Sequence, residues 1–117
     1  MSIQVISRDA AVASLKDNGT VAIPLSEPAC KLRGLDVAIA GRPEVDTGFW
    51  ECAEGQFRRA VDTGEVMYIL EGSGSFMPDS DEEPTIEFKA GDTLFFPPFT
   101  RGVWDIREKV RKLYVMV

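Results

Sequence analysis

The chain has 117 residues, of which 44% are hydrophobic, and its formal net charge is −6. A chain of this length suits one domain and can bury roughly two thirds of the surface that it exposes when unfolded, without help from a disulfide or a metal. The acidic balance argues against nucleic acid or an anionic membrane as a partner, because both require clustered Lys and Arg side chains.

Short β-type runs bounded by turn residues recur along the chain, after one possible helical segment at residues 9–16. The predicted strands occupy residues 20–25, 35–40, 48–53, 65–71, 75–77, 85–88, 93–96, 103–106 and 110–117. Many short strands at this spacing indicate an all-β antiparallel sandwich or barrel rather than βαβ units. We therefore predict a single domain over residues 1–117, with an N-terminal arm at 1–19 and a barrel at 20–117.

The cysteines and the N-terminus bear on the cellular compartment. Cys30 and Cys52 are far apart in sequence and have no metal-binding spacing. The N-terminus lacks the pattern of a signal peptide, and no apolar run approaches the ~20 residues of a membrane span. The sequence thus predicts a cytoplasmic protein with reduced thiols.

One predicted strand is apolar on both faces. Glu65, Met67 and Ile69 share one face of residues 65–70, and Val66 and Tyr68 lie on the other. An antiparallel strand usually leaves one face in water, so a second sheet or a partner subunit must cover the other face. We therefore expect a homodimer.

Two spaced motifs resemble those of the cupins. Glu65 is followed by six residues and Gly72, and Gly91 is followed by five residues and Pro97. Together with the segments GFWECAEG, RGVWDI and RKLYVMV, they resemble a histidine-poor cupin subfamily related to ureidoglycine aminohydrolase and ethanolamine-utilisation cupins. The resemblance implies a double-stranded β-helix, or jelly-roll barrel, with a pocket inside one end.

The chain departs from the cupin pattern where the metal ligands should stand. Residues 56–64 (QFRRAVDTG) replace the histidine pair of the first motif, and the chain contains no histidine. In the second motif, Phe99 holds the position of the glycine and Gly102 that of the histidine. We therefore predict no metal site and no cofactor, and the aminohydrolase activity is not carried over.

Two glutamates are the candidate catalytic residues. Glu65 stands at the position of the cupin metal-binding glutamate, which implies that it points into the barrel. Burial there would suit it to acid–base chemistry, although a structural hydrogen-bond acceptor is an equal alternative. Glu51, in FWEC, is the candidate for a second carboxylate beside Glu65, but a rim charge is the favoured interpretation.

Four further residues are candidates for binding a ligand. Trp104 follows the vacated histidine position by two residues, which by alternation places it on the same inward face, and Trp50 is a candidate wall or core residue. Arg58 or its neighbour Arg59, if inward, would favour an anionic ligand. Lys112 is either a pocket cation or an ordinary charge at the start of a strand.

Two functions from different classes remain open at this point. The first is a barrel that binds a small molecule without transforming it. The second is a metal-independent lyase, isomerase or hydrolase on a small polar metabolite, with Glu65 as acid or base. A third and weaker alternative is a structural dimer whose barrel is filled by side chains.

Overall fold

The computed structural model describes residues 2–117, which form one short helix and eight strands. These elements are α1 (Arg8–Ser14), β1 (Lys16–Thr20), β2 (Lys31–Asp36), β3 (Thr47–Cys52), β4 (Gly55–Arg58), β5 (Glu65–Pro78), β6 (Ile86–Lys89), β7 (Thr93–Phe96) and β8 (Gly102–Met116). All strand pairs are antiparallel, in the order β1-β2-β3-β8-β5-β6, with β4 beside β8 and β7 beside β5.

The two longest strands, β5 and β8, pair with each other from Glu65 opposite Met116 to Pro78 opposite Gly102. The first part of β5 also pairs with β7, and its second part pairs with β6. Likewise the first part of β8 pairs with β4 and its second part with β3. Both long strands thus pass from one layer to the other, and the predicted all-β jelly-roll fold is confirmed.

The bend in β5 corrects the prediction that turn residues separate two strands at 65–71 and 75–77. The strand continues through Gly72, and its register against β8 shifts between Ile69 and Gly74. Gly72 has φ 91°, and a Cβ there would lie 2.2 Å from the Lys109 carbonyl oxygen. A β-bulge at a glycine therefore bends β5 without ending it. The partner strand β8 is likewise continuous, although the sequence predicted two separate strands there, at 103–106 and 110–117.

The N-terminal region differs from the prediction in its strands. Helix α1 lies in the predicted segment and begins after Ser7, whose Oγ accepts a hydrogen bond from the Ala10 amide at 3.1 Å. Of the predicted strand at 20–25, residues 21–25 form no regular strand, whereas residues 16–20 form β1. The expected strand at 35–40 lies earlier, at β2, and β4 was not predicted.

The core lies between the two layers and follows the alternation along the strands. In β5, Met67 and Ile69 are buried while Tyr68 is exposed. The buried core residues are Val21, Cys30, Cys52, Phe57, Met67, Ile69, Phe76, Phe88, Leu94, Phe96, Trp104, Ile106 and Val110. Both cysteines are free and buried, and burial raises the pKa of the Cys52 thiol well above its ordinary value, so Cys52 is a core residue.

The outward face of the sheet carries exposed apolar side chains. Tyr68, Phe95 and Leu113 are exposed on β5, β7 and β8, and Tyr68 lies directly opposite Leu113. Tyr68 belongs to the face of β5 opposite Glu65, which the sequence predicts to be covered by a second sheet or a partner subunit. The homodimer stays a prediction. Within residues 2–117, no helix has the length and apolar character needed to cross a bilayer.

We expect Gly102→Ala to destabilise the fold. A Cβ at this position would lie 2.4 Å from the Met77 carbonyl oxygen and 2.6 Å from the Phe76 ring, so the backbone must shift. Such overpacking costs about 1–3 kcal/mol, measurable by urea denaturation. The matched control is Gly34→Ala, whose Cβ would meet its nearest neighbour, the Phe49 carbonyl oxygen, at an ordinary 3.5 Å. Equal denaturation midpoints for the two variants would contradict this account.

Candidate functional site

A cavity of about 270 Å³ lies at one end of the barrel, where β3 and β5 begin and β8 ends. The exposed residues Asp46, Ala60 and Val61 belong to its rim. Its deeper wall consists of the buried side chains Phe57, Arg59, Glu65, Trp104 and Lys112. An apolar cavity with a few converging polar groups is the usual form of a small-molecule site.

Glu65 is the first residue of β5 and lies between two neighbouring strands, opposite Phe96 on β7 and Met116 on β8. Its side chain is only 5% exposed. One carboxylate oxygen accepts a hydrogen bond from Lys112 Nζ at 2.7 Å, and the other accepts from Arg59 Nη2 at 3.3 Å. The structure thus places Glu65 inside the barrel, as the cupin resemblance implies, and its chemical role stays a prediction.

Arg59 holds one side of Glu65 and is itself fixed by backbone carbonyls. Its guanidinium donates to the carbonyl oxygens of Val61, Thr100 and Thr63 at 2.9, 3.1 and 3.1 Å. It also lies 5.1 Å from the centroid of the Phe96 ring. With so many fixed contacts, Arg59 positions the carboxylate and has little freedom to follow a ligand.

Lys112 holds the other side of Glu65. Its Nζ lies 4.4 Å from the centre of the Trp50 ring and 5.4 Å from that of Trp104, and 3.7 Å from Met67 Sδ. Burial lowers the pKa of Lys112, the Glu65 carboxylate opposes this, and Arg59 adds to the lowering. The position inside β8, at 6% exposure, shows that the strand-start interpretation of Lys112 is wrong.

Aromatic side chains of the core form the inner end of the cavity. Trp104 stacks on Phe96 with ring centroids 5.4 Å apart and contacts Phe76 edge-on at 4.8 Å. Phe88, on β6 in the same layer as Trp104, packs edge-on against it. These rings belong to the packed core, and the cavity of about 270 Å³ remains open beside them, so the alternative of a completely filled barrel is wrong. Trp104 and Trp50 both lie on the cavity wall, as their predicted roles require.

Arg58 touches the cavity edge, but its charge is directed elsewhere. Its guanidinium pairs with Asp79 at a position that is about one third exposed. Strand alternation explains this, because Arg58 and Phe57 point to opposite sides of β4 and Phe57 is the buried one. Of the two arginines considered from the sequence, Arg59 and not Arg58 reaches the interior.

Glu51 is buried but does not meet Glu65. In β3 its neighbour Trp50 faces the cavity, so alternation turns Glu51 to the opposite face of the sheet. There its carboxylate accepts from Arg33 at 2.8 Å and from Arg111 at 3.2 Å. Burial raises the pKa of Glu51, but the two guanidinium groups outweigh it and hold that pKa below its usual value. The candidate pairing of Glu51 with Glu65 is therefore wrong in its geometry, and the favoured interpretation of Glu51 as a rim charge is wrong too, because Glu51 is only 3% exposed.

The residues at the two cupin motifs do not fit a bound metal ion. Both Glu65 oxygens already face cations, namely Lys112 and Arg59. At the vacated histidine position, the space beside Gly102 is taken by the Phe76 ring. Among residues 2–117 there is no group of three His, Cys, Asp or Glu side chains that could hold a metal.

Sequence reasoning missed two polar residues of the cavity, Tyr114 and Asp46. Tyr114 follows Lys112 by two residues on β8, so strict alternation from an inward Lys112 would have found it. Burial, with Asp46 and Asp36 nearby, raises the pKa of Tyr114 to about 12. No strand pattern covers Asp46, which precedes β3 and carried no signal in the sequence.

Glu65→Gln tests the buried ion pair. The substitution removes the negative charge that compensates Lys112 and Arg59, and breaking a buried pair in this way costs about 3–5 kcal/mol. Urea denaturation at neutral pH measures the loss. Glu87→Gln is the matched control, because Glu87 pairs with Arg107 on the surface and its loss should change little. Equal stability of the two variants would show that the Glu65 cluster is not buried as described.

Tyr114→Phe tests the raised tyrosine pKa. Between about pH 10, the ordinary value, and about pH 12, the unfolded chain loses the Tyr114 proton while the folded chain keeps it. Stability from this group is therefore complete below about pH 10 and is lost as the pH rises through that window. Denaturation across the alkaline range should show a shallower fall for Tyr114→Phe. Tyr68→Phe, which keeps Tyr114, should retain the fall that Tyr114 causes.

Comparison with known proteins gives a family and a set of shared folds. The profile of the EutQ-like cupin domain family matches residues 42–114. No functionally curated protein matches the chain. In solved structures, 226 chains match this one.

Three of these structures illustrate the range of sequence identity and structural similarity among the matches. The EutQ protein of Clostridium difficile is 18% identical, with a TM-score of 0.64 over 77% of this chain and 64% of that one, so this chain spans less than two thirds of its length. A DUF861 family protein from Thermotoga maritima is 32% identical, with a TM-score of 0.54 over 59% and 76% of the two chains. The polyketide cyclase RemF from Streptomyces resistomycificus is 19% identical, with a TM-score of 0.65 over 98% and 79%.

Proposed function

Because this chain belongs to the EutQ-like cupin domain family and has an open cavity beside a buried ion pair, we propose that its barrel binds a small organic molecule. The observation that carries the proposal is the Lys112 amine, which is held in an apolar, tryptophan-lined cavity beside Glu65. The structural neighbours point to no common ligand, since one is a polyketide cyclase and another has no known function. The ligand must therefore be argued from the cavity itself.

The charges of the cavity favour an oxygen-bearing ligand. The buried cluster contains two cations, Arg59 and Lys112, and one carboxylate, Glu65, which leaves one positive charge in excess. An ammonium group has three donors. Of those on Lys112, one goes to Glu65 and one makes a weak contact with Met67 sulfur. The remaining donor can bind a carboxylate or carbonyl oxygen, while Trp50 and Phe57 contact the apolar part of the ligand.

A metal-independent enzyme is the second candidate, and one observation favours it. Glu65 and Lys112 are 2.7 Å apart inside a cavity that a ligand can enter, which is the arrangement that acid–base catalysis requires. A proton can pass directly between the carboxylate and the amine. A lyase, isomerase or hydrolase step on a small polar metabolite would use Glu65 as the acid or base.

Tryptophan fluorescence tests binding at this cavity specifically, because both tryptophans of the chain lie on its wall. Butanoate, butanal and butan-1-ol share one carbon chain and differ in their polar group. We expect butanoate and butanal to change the fluorescence saturably and to raise the melting temperature, and butan-1-ol to bind more weakly. A linear, unsaturable response to all three would contradict the proposal.

Two lysine variants provide the matched comparison. Lys112→Met should weaken butanoate binding roughly tenfold, since a hydrogen bond to a charged group contributes about 1.5–3 kcal/mol. Lys109→Met, at an exposed position on the same strand, should leave the affinity unchanged. Equal affinities in the two variants would show that Lys112 does not contact the ligand.

A further inference from the structure

The proposed binding function gives Lys112 no chemical role beyond a hydrogen bond, although its amine has the surroundings of a nucleophile. We propose that Lys112 forms an imine with a small aldehyde or ketone in the cavity, with Glu65 carrying the protons. This inference rests on the proposed function, because the carbonyl compound must first bind in the cavity.

Lys112 differs from every other lysine of the chain in its surroundings. Lys16, Lys31, Lys89 and Lys109 are exposed, whereas Lys112 is buried on the cavity wall. Its Nζ lies against the faces of Trp50 and Trp104 at 4.4 and 5.4 Å. A carbonyl group that enters the cavity therefore meets one amine, held in a fixed position.

The groups that face Nζ act on the pKa of Lys112 in both directions. Glu65 on β5 and Cys52 on β3 raise it, and Arg59 in the segment after β4 lowers it. Burial and the Arg59 charge lower the pKa of Lys112, and the Glu65 carboxylate works in the opposite direction without reversing the shift. A lysine with a lowered pKa in an apolar site is the usual source of a Schiff-base nucleophile, because only the neutral amine attacks carbonyl carbon.

The proton balance closes within the Glu65–Lys112 pair. The ammonium gives one proton to the carboxylate across 2.7 Å, which leaves a neutral amine and a carboxylic acid. The amine nitrogen attacks the carbonyl carbon, and the carbonyl oxygen takes the proton from Glu65. The nitrogen returns a proton to Glu65, which then protonates the departing hydroxyl. One water leaves, and the products are a protonated imine on Lys112 and an ionised Glu65.

The same carboxylate then stabilises the product. The protonated imine carries the positive charge that the ammonium carried, so Glu65 remains its counter-ion. Arg59 keeps Glu65 in place through the contact at 3.3 Å while it is itself fixed by three backbone carbonyls. The net charge of the Glu65–Lys112 pair is therefore the same before and after imine formation, so the same contacts stabilise both states.

Reductive trapping tests the inference on the wild-type protein. The protein is incubated at neutral pH with limiting butanal and cyanoborohydride, which reduces an imine to a stable secondary amine. Peptide mapping by mass spectrometry then locates the butyl group. We expect Lys112 to be modified at least tenfold faster than Lys109 at neutral pH. The excess should shrink toward about pH 10.5, where surface lysines also lose their proton.

Two variants separate nucleophile from proton carrier. Lys112→Arg keeps the positive charge but cannot be deprotonated, and should abolish trapping at this position. Glu65→Gln should slow modification of Lys112 several-fold and leave that of Lys109 unchanged. Neither variant is needed for the main result, which is read from the wild-type chain.

The outcomes distinguish this inference from the binding proposal. If butanal changes the tryptophan fluorescence saturably but Lys112 is modified no faster than Lys109, the imine is ruled out and the binding function stands. If butanal neither changes the fluorescence nor modifies Lys112 while butanoate still binds saturably, only the imine is ruled out; if butanoate and butan-1-ol also give no saturable response, both proposals fail. Preferential modification of Lys112 supports both.

Discussion

The pairing of β5 with β8 is the constraint on which the site depends. The two strands pair along their whole length and bend together, so each contributes to both layers of the barrel. Their register places Ile69 opposite Lys112 and Met116 opposite Glu65. The Lys112 side chain therefore runs along the barrel past Met67 to reach the carboxylate at 2.7 Å. A slip of one residue would turn either charge out of the barrel.

The buried cluster of Arg59, Glu65 and Lys112 stabilises the fold inefficiently, because desolvating its charges is unfavourable. Burying charges costs several kcal/mol per ion, and an apolar replacement of such a pair is often neutral or stabilising. Here two cations share one carboxylate, and the excess charge is offset in part by the rings of Trp50 and Phe96. A second group of charges, in which Glu51 meets Arg33 and Arg111, lies on the other face of the sheet. Strand alternation thus separates a charge network that links strands from one that lines a cavity.

Several features followed from local pattern. The recurrence of short strands predicted an antiparallel sandwich or barrel. The E-x6-G spacing from Glu65 to Gly72 and the G-x5-P spacing from Gly91 to Pro97 carry the resemblance to cupins, and that resemblance implied the jelly roll. Gly72 and Gly91 have positive φ, a backbone conformation that other residues resist. Alternation placed Trp104 inward and Tyr68 outward, as observed. Strand bounds were less predictable, since a bulged strand such as β5 contains the same glycines as a turn.

The sequence by itself determined an all-β fold and the absence of imidazole chemistry, because these depend on composition and on patterns within single strands. The cupin resemblance added the jelly-roll barrel and the inward position of Glu65. Only the tertiary structure decided that Lys112 and Arg59 are the partners of Glu65, that Glu51 lies on the opposite face and that Arg58 turns to Asp79. Residues 59, 65 and 112 come together through strand register and loop path, because a long-range contact depends on how distant segments pair, and no local pattern specifies that pairing.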